Sequence, residues 1–255
     1  MQAATVVLVG ARNRILDPAL LGGASTLSSA WCLANQSAAS GMLRAAERVV
    51  FTGYFRTDNG EAEVERSLEL ATLVGGACGS DRAKVLMLST DAIFSGRRGG
   101  YACTDVPDPS SVYGMMKLGQ EQAMSGAAIL RFTVFGPSFS SRPTMFETVR
   151  QSRALKLFPN AYFSPVSSFA VNDVLRRHLR APLDPGIHHL SAGRVSKSRL
   201  VEQLLDRAAG GHGVSFETDE SIDTDHSLLP SSASLALDLD GELNLITAAP
   251  QPSQR

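Results

Sequence analysis

The chain has 255 residues, 44% of them hydrophobic and 19% charged, with a formal net charge of −1, which suits one α/β core with a small appended lobe. That near-neutral balance offers no basic surplus for phosphates and argues against nucleic acid as a partner. No apolar run reaches membrane-spanning length and the N-terminus lacks a charged-then-apolar signal, so a cytoplasmic protein with no membrane association is expected.

In chain order, residues 5–9 form a short apolar run ending at Gly10, and residues 49–52 form another ending at Gly53. A third, at 85–88, is the continuous apolar type that suits a buried parallel strand. Further strands are predicted at 128–132 and 188–190, and helical periodicity with charged outer positions at 61–75 and 113–124. Alternating strands and helices imply an α/β fold with a doubly wound parallel sheet. The core is expected over 1–137, with 165–191 returning to it. A smaller lobe is expected from 138–164 and 192–245, and 246–255, ending Pro-Gln-Pro-Ser-Gln-Arg, reads as a disordered tail.

Chemistry concentrates between Leu88 and Pro137. Ser89 and Thr90 follow the strand at 85–88, where it reaches the carboxyl end at which open α/β sheets bind ligands. Tyr113 and Lys117 are four apart, so on a helix they share a face and the ammonium can sit beneath the phenol. A nearby positive charge favours phenolate and lowers the tyrosine pKa. Cys32, Cys78 and Cys103 have no metal-ligand spacing and read as free thiols. His178, His188, His189, His212 and His226 likewise show no metal pattern. Arg131 is read as a packing or salt-bridge residue, and Asp219-Glu220 with Asp223 to Asp225 as a solvated acidic loop.

The run Ser89-Thr90-Asp91-Ala92-Ile93-Phe94-Ser95-Gly96, then Tyr101, Thr104-Asp105, Pro109, Val112-Tyr113-Gly114, Lys117-Leu118 and Glu121, resembles extended short-chain dehydrogenases/reductases of the dTDP-4-dehydrorhamnose reductase type. Ile129-Leu130-Arg131, Phe135-Gly136-Pro137 and the segment from Gly186 to Ser191 continue the pattern. The resemblance implies a Rossmann-type core, a small C-terminal lobe covering the sugar, and NADP or NAD as cofactor. It also implies reduction of a nucleotide-linked 4-keto-6-deoxysugar, with Thr90, Tyr113 and Lys117 as catalytic residues. Lys117 would lower the Tyr113 pKa and hold the nicotinamide ribose; Ser89 is the alternative hydroxyl. Gly10, Arg12, Asn13, Arg14, Ile15, Thr52, Gly53, Tyr54 and Ser89, with Tyr113 and Lys117, would contact the cofactor. The stretch from His226 to Asp238 resembles a late segment of the family that would wall the substrate.

The cofactor loop departs from that pattern. Relatives carry Gly-x-x-Gly-x-x-Gly, whose glycines permit the turn and the approach of backbone amides to a pyrophosphate. Here only Gly10 remains, with Asn13 and Leu16 at the other two positions. Asn13 tolerates the left-handed turn, whereas Leu16 would crowd the helix–strand contact. Ser67 stands where relatives carry Asn, and residues 22–48 hold no evident acidic or basic group to select NAD from NADP. Arg12 and Arg14 would supply charge to a pyrophosphate or a 2′-phosphate. Two other readings stay open: a non-catalytic homologue kept for binding a nucleotide or a protein partner, and an epimerase or dehydratase with Asp91 as acid. A homodimer is the expected alternative to a protein partner.

Overall fold

The computed structural model describes residues 6–10, 16, 24–53, 60–138, 144–207 and 214–248. Strands β1 (Val6–Val9), β2 (Ser25–Leu27), β3 (Arg48–Phe51), β4 (Val85–Leu88) and β5 (Ala128–Arg131) are joined through α1 (Ser29–Ala34), α2 (Gln36–Ala45), α3 (Glu61–Cys78) and α4 (Val112–Ala123). The chain leaves the core through β6 (Thr133–Phe135), α5 (Met145–Gln151), β7 (Ala154–Leu157), β8 (Ala161–Phe163) and β9 (Pro165–Ser167), then returns along α6 (Ser168–Arg180) to β10 (Gly186–His189). It continues through β11 (Val195–Ser196), α7 (Lys197–Arg207), β12 (Ser215–Thr218), β13 (Thr224–Asp225) and α8 (Leu239–Ala248).

Six strands form one parallel sheet in the order β2-β1-β3-β4-β5-β10. Side chains alternate between its faces, and each face has its own core. Val7, Val9, Val49, Phe51, Val85 and Met87 pack on one side with Ala39, Leu43, Leu70 and Val74 of α2 and α3. On the other, Leu8, Val50, Leu86, Leu88 and Leu130 pack with Val171, Val174 and Leu175 of α6. The chain places β2 on one flank of β1 and β3 on the other. The carboxyl ends of β1 and β3 therefore flank the topological switch point, where open α/β sheets form their ligand crevice.

A further apolar cluster lies beyond β5, built from Phe135, Phe146, Phe163, Val195, Leu200 and Ile246. Its last member corrects the expected tail. Residues 246–248 belong to α8 and Ile246 is fully buried, because the hydrophobic positions of this short helix dock on the cluster. Pro250 to Arg255 lie outside the described residues. The stretch from 24 to 48 carries β2 and two helices. The Ser28 hydroxyl caps α1 by accepting from Trp31 N at 3.2 Å, and the alanines favour helix intrinsically.

Candidate active site

At the switch point the backbone itself forms a tight seam. Gly10 has φ +89°, and a Cβ there would lie 2.4 Å from Thr52 Oγ1 and 3.1 Å from Gly53 N, so only glycine fits. Thr52 Oγ1 donates to Gly10 O at 2.8 Å, stitching the end of β3 to the end of β1. Gly53 also has positive φ, +47°. Gly10, Thr52 and Gly53 thus come together as expected, while Arg12, Asn13, Arg14, Ile15 and Tyr54 lie outside the described residues.

Leu16, expected to crowd the helix–strand contact, is 3% exposed and packs in the core with Leu8 and Val50. Leu16→Ala should therefore destabilise the fold by about 2–4 kcal/mol through a cavity, read by urea denaturation. A change within experimental error would show that the side chain is not a core residue.

β4 delivers Ser89 and Thr90 to the sheet's carboxyl edge, but their hydroxyls part. Ser89 Oγ donates to Glu121 Oε1 at 2.5 Å, so the proton of this hydroxyl is committed inside the protein. Thr90, in extended conformation, caps the short 3-10 turn Asp91–Ile93 by accepting from Ala92 N at 3.2 Å. Its own proton goes to Asp91 Oδ1 at 3.1 Å. Burial pushes the Asp91 carboxyl up; the Thr133 hydroxyl, the His226 charge and the Thr90 hydroxyl oppose that rise.

α4 is pressed against this turn. Ser111 caps it, accepting from Gly114 N at 3.0 Å, and a Cβ on Gly114 would stand 2.0 Å from Ala92 O. That glycine lets the first helical turn, with half-buried Tyr113, lie against the residues that follow Thr90. One turn on, Lys117 is 3% exposed. Its ammonium donates to Leu88 O at 2.9 Å, Gln120 Oε1 at 3.0 Å and Thr52 O at 3.2 Å. Lys117 thus joins the β1–β3 seam to the strand end that carries Thr90. Three protons meet three protein acceptors, so the expected grip on a nicotinamide ribose requires one of these bonds to be exchanged. Gln120 in turn donates to Gly53 O and to Ser67 Oγ, a link that the sequence reading missed; two polar residues at buried helix positions facing one another were the available signal.

Desolvation lowers the Lys117 pKa from 10.5 to about 8, with Glu121 opposing. Between those values the unfolded chain binds the proton that the folded chain has released, so unfolding free energy from this group rises with pH. Below about pH 8 the cost of burying the charge is present in full. The expected result is a gain in stability from pH 8 to 10.5 that is missing in Lys117→Met, read by urea titrations at the two values. Equal pH slopes in the two proteins would refute the burial argument.

Behind α4, Arg131 and Glu121 form a buried bidentate pair, with Nε to Oε1 at 3.0 Å and Nη2 to Oε2 at 2.6 Å. This agrees with the salt-bridge reading of Arg131. His189 Nδ1 faces Tyr101 O at 3.1 Å, and burial drives its pKa down to about 4. His178 is likewise buried and pushed down to about 4, and its Nδ1 accepts from Leu183 N at 3.1 Å. Of the acidic stretch, Asp219 pairs with Lys156 at 2.9 Å and Asp225 with Arg194 at 2.6 Å, so these two are anchors rather than freely solvated groups. Among the described residues no helix is long and apolar enough to cross a membrane.

A parallel sheet with its crevice at the β1–β3 switch point, and a Tyr-x-x-x-Lys helix packed against a Thr-bearing strand end, define a Rossmann-type α/β protein. Residues 22–225 match the family described as the RmlD substrate binding domain, and the chain belongs to that family. Among solved structures, dTDP-4-dehydrorhamnose reductase from Bacillus anthracis in complex with NADP superposes with a TM-score of 0.77 at 16% identity, covering 96% of this chain and 99% of that one. A Clostridium acetobutylicum protein described as a dTDP-4-dehydrorhamnose reductase gives 0.76 at 14% identity, with 95% and 98% covered. A dTDP-glucose 4,6-dehydratase from Streptomyces venezuelae with NAD bound gives 0.71 at 16% identity, with 95% of each chain covered. No curated protein matches the chain in sequence.

Proposed function

We propose that this protein is an NAD(P)-dependent reductase of a nucleotide-linked 4-keto-6-deoxysugar. The observation that carries this reading is Lys117, buried one turn beyond Tyr113 and bonded both to Thr52 of the glycine seam and to Leu88 at the approach to Thr90. Gly10, Thr52 and Gly53, joined at the carboxyl ends of β1 and β3, would hold a dinucleotide at the switch-point crevice. When bound, the nicotinamide supplies the hydride.

The chain's own residues do the rest. Tyr113 gives a proton to the oxygen that becomes the alcohol, and Thr90, its proton turning from Asp91 Oδ1 to the same oxygen, stabilises the negative charge that develops there. The Lys117 charge favours the Tyr113 phenolate after transfer, which keeps the phenol acidic enough to give its proton near neutral pH. Residues 138–164 and 192–245 form the lobe that covers the sugar, and the cytoplasm is its place of work. Asp91, the acid that dehydration would need, has a buried carboxyl beside Thr90; it serves either reading, and the product formed distinguishes reduction from elimination of water.

The test is calorimetric titration of the purified chain with NADPH and, separately, NADH, followed by turnover of nucleotide-linked ketosugars. Micromolar binding of one of them and consumption of the ketosugar is the expected result. A folded protein that binds neither at millimolar concentration would overturn the reductase reading in favour of a non-catalytic homologue with a protein partner.

A further inference from the structure

Among the described residues, Gln120 is the side chain that accepts a hydrogen bond from the Lys117 ammonium; the other two acceptors are backbone carbonyls. Gln120 is fully buried, as is Ser67. Its Nε2 donates to Gly53 O at 2.7 Å and to Ser67 Oγ at 2.5 Å, which uses both amide protons. This arrangement sets the amide's orientation. A flipped amide would turn its NH2 towards the ammonium and its oxygen towards the Gly53 carbonyl, two repulsive contacts in a buried site. A Cβ at residue 53 would lie 2.9 Å from Gln120 Nε2, so the glycine there also makes room for this contact.

The geometry points to Gln120 as a positioning residue: anchored by Ser67 on α3 and Gly53 at the end of β3, it holds the Lys117 ammonium at the junction between the nucleotide seam and the catalytic strand end. Two carbonyls alone would leave one ammonium proton without an acceptor and the lysine free to rotate. With Gln120 in place, three acceptors, from Thr52 just after β3, from β4 and from α4, define one position for the charge. The functional consequence rests on the reductase reading of Tyr113 and Lys117; the placement of Lys117 does not.

The experiment is an NMR titration of 15N-lysine and 13C-tyrosine labelled protein, comparing wild type with Gln120→Met, which keeps the volume but offers no acceptor. Removing a hydrogen bond to the charged form should lower the Lys117 pKa by about one unit, a tenfold loss in proton affinity. The Tyr113 phenol should titrate correspondingly higher. A purely structural role would lower the melting temperature and move neither titration, and that result overturns the proposal. Should Gln120→Met fail to fold, Ser67→Ala serves. It should give a smaller shift of both groups in the same direction, and no shift overturns the proposal. A displaced Lys117 titration in Gln120→Met, together with a Tyr113 titration that Lys117→Met leaves unmoved, would sink the reductase reading and the catalytic purpose of Gln120 with it. Unmoved Lys117 in Gln120→Met, with Tyr113 responding to Lys117→Met, would sink the Gln120 role alone.

Discussion

Tyr113→Phe should lower kcat for ketone reduction by about 10²–10⁴-fold, the range expected for loss of a positioned proton donor, while NADPH affinity stays unchanged. The change removes one oxygen from a half-buried ring in the first turn of α4 and leaves Gly114, whose missing Cβ lets the helix reach Ala92, untouched. Fold and seam are therefore preserved, and the loss falls on the chemical step. Steady-state kinetics with the ketosugar, paired with a cofactor titration, separates the two effects. Full turnover in Tyr113→Phe would assign the proton to another donor.

Arg131→Met is the second large effect, and it concerns stability. It should cost about 3–5 kcal/mol, because it strands the Glu121 carboxylate in a buried site. Both partners are 4% exposed, and after the change Glu121 keeps, among the described residues, the Ser89 hydroxyl as its close donor. The double variant Arg131→Met with Glu121→Met removes both charges together and should recover most of the loss, since a buried pair is often replaceable by apolar groups of similar volume. Urea denaturation of the wild type, the single variants and the double variant closes the cycle. A double variant as unstable as the single one would mean that Arg131 acts by shape against Phe94, whose ring it overlies at 5.5 Å, rather than by charge.

The parallel core was legible because its information is local. The continuous apolar run at 85–88 and the run Ala128-Ile129-Leu130 have no solvent face, and the structure buries all seven positions. Predicted ends differ by a residue or two, as at β3, which begins at Arg48 and stops before Thr52. Less legible were α1 and α2, whose short or Ala- and Ser-rich sequences hold few large apolar residues and whose stability comes from docking on the sheet. The apolar stripe of α6, by contrast, has a clear helical period and puts Val171, Val174 and Leu175 on the second face of the sheet. The burial of Leu16 in that same core was not legible, because the residues around it come from distant parts of the chain.

The sequence by itself determined the α/β order, the Gly10 turn, and Tyr113 and Lys117 on one helical face, because each follows from spacing within a few residues. Only the tertiary structure decided where the Lys117 protons go. Their acceptors Thr52 and Leu88 are 65 and 29 positions away, and Gln120 meets Ser67 across 53. The partners of a buried polar group are set by which elements pack together, and no local pattern encodes which carbonyl will stand within 3 Å of an ammonium after the sheet has assembled.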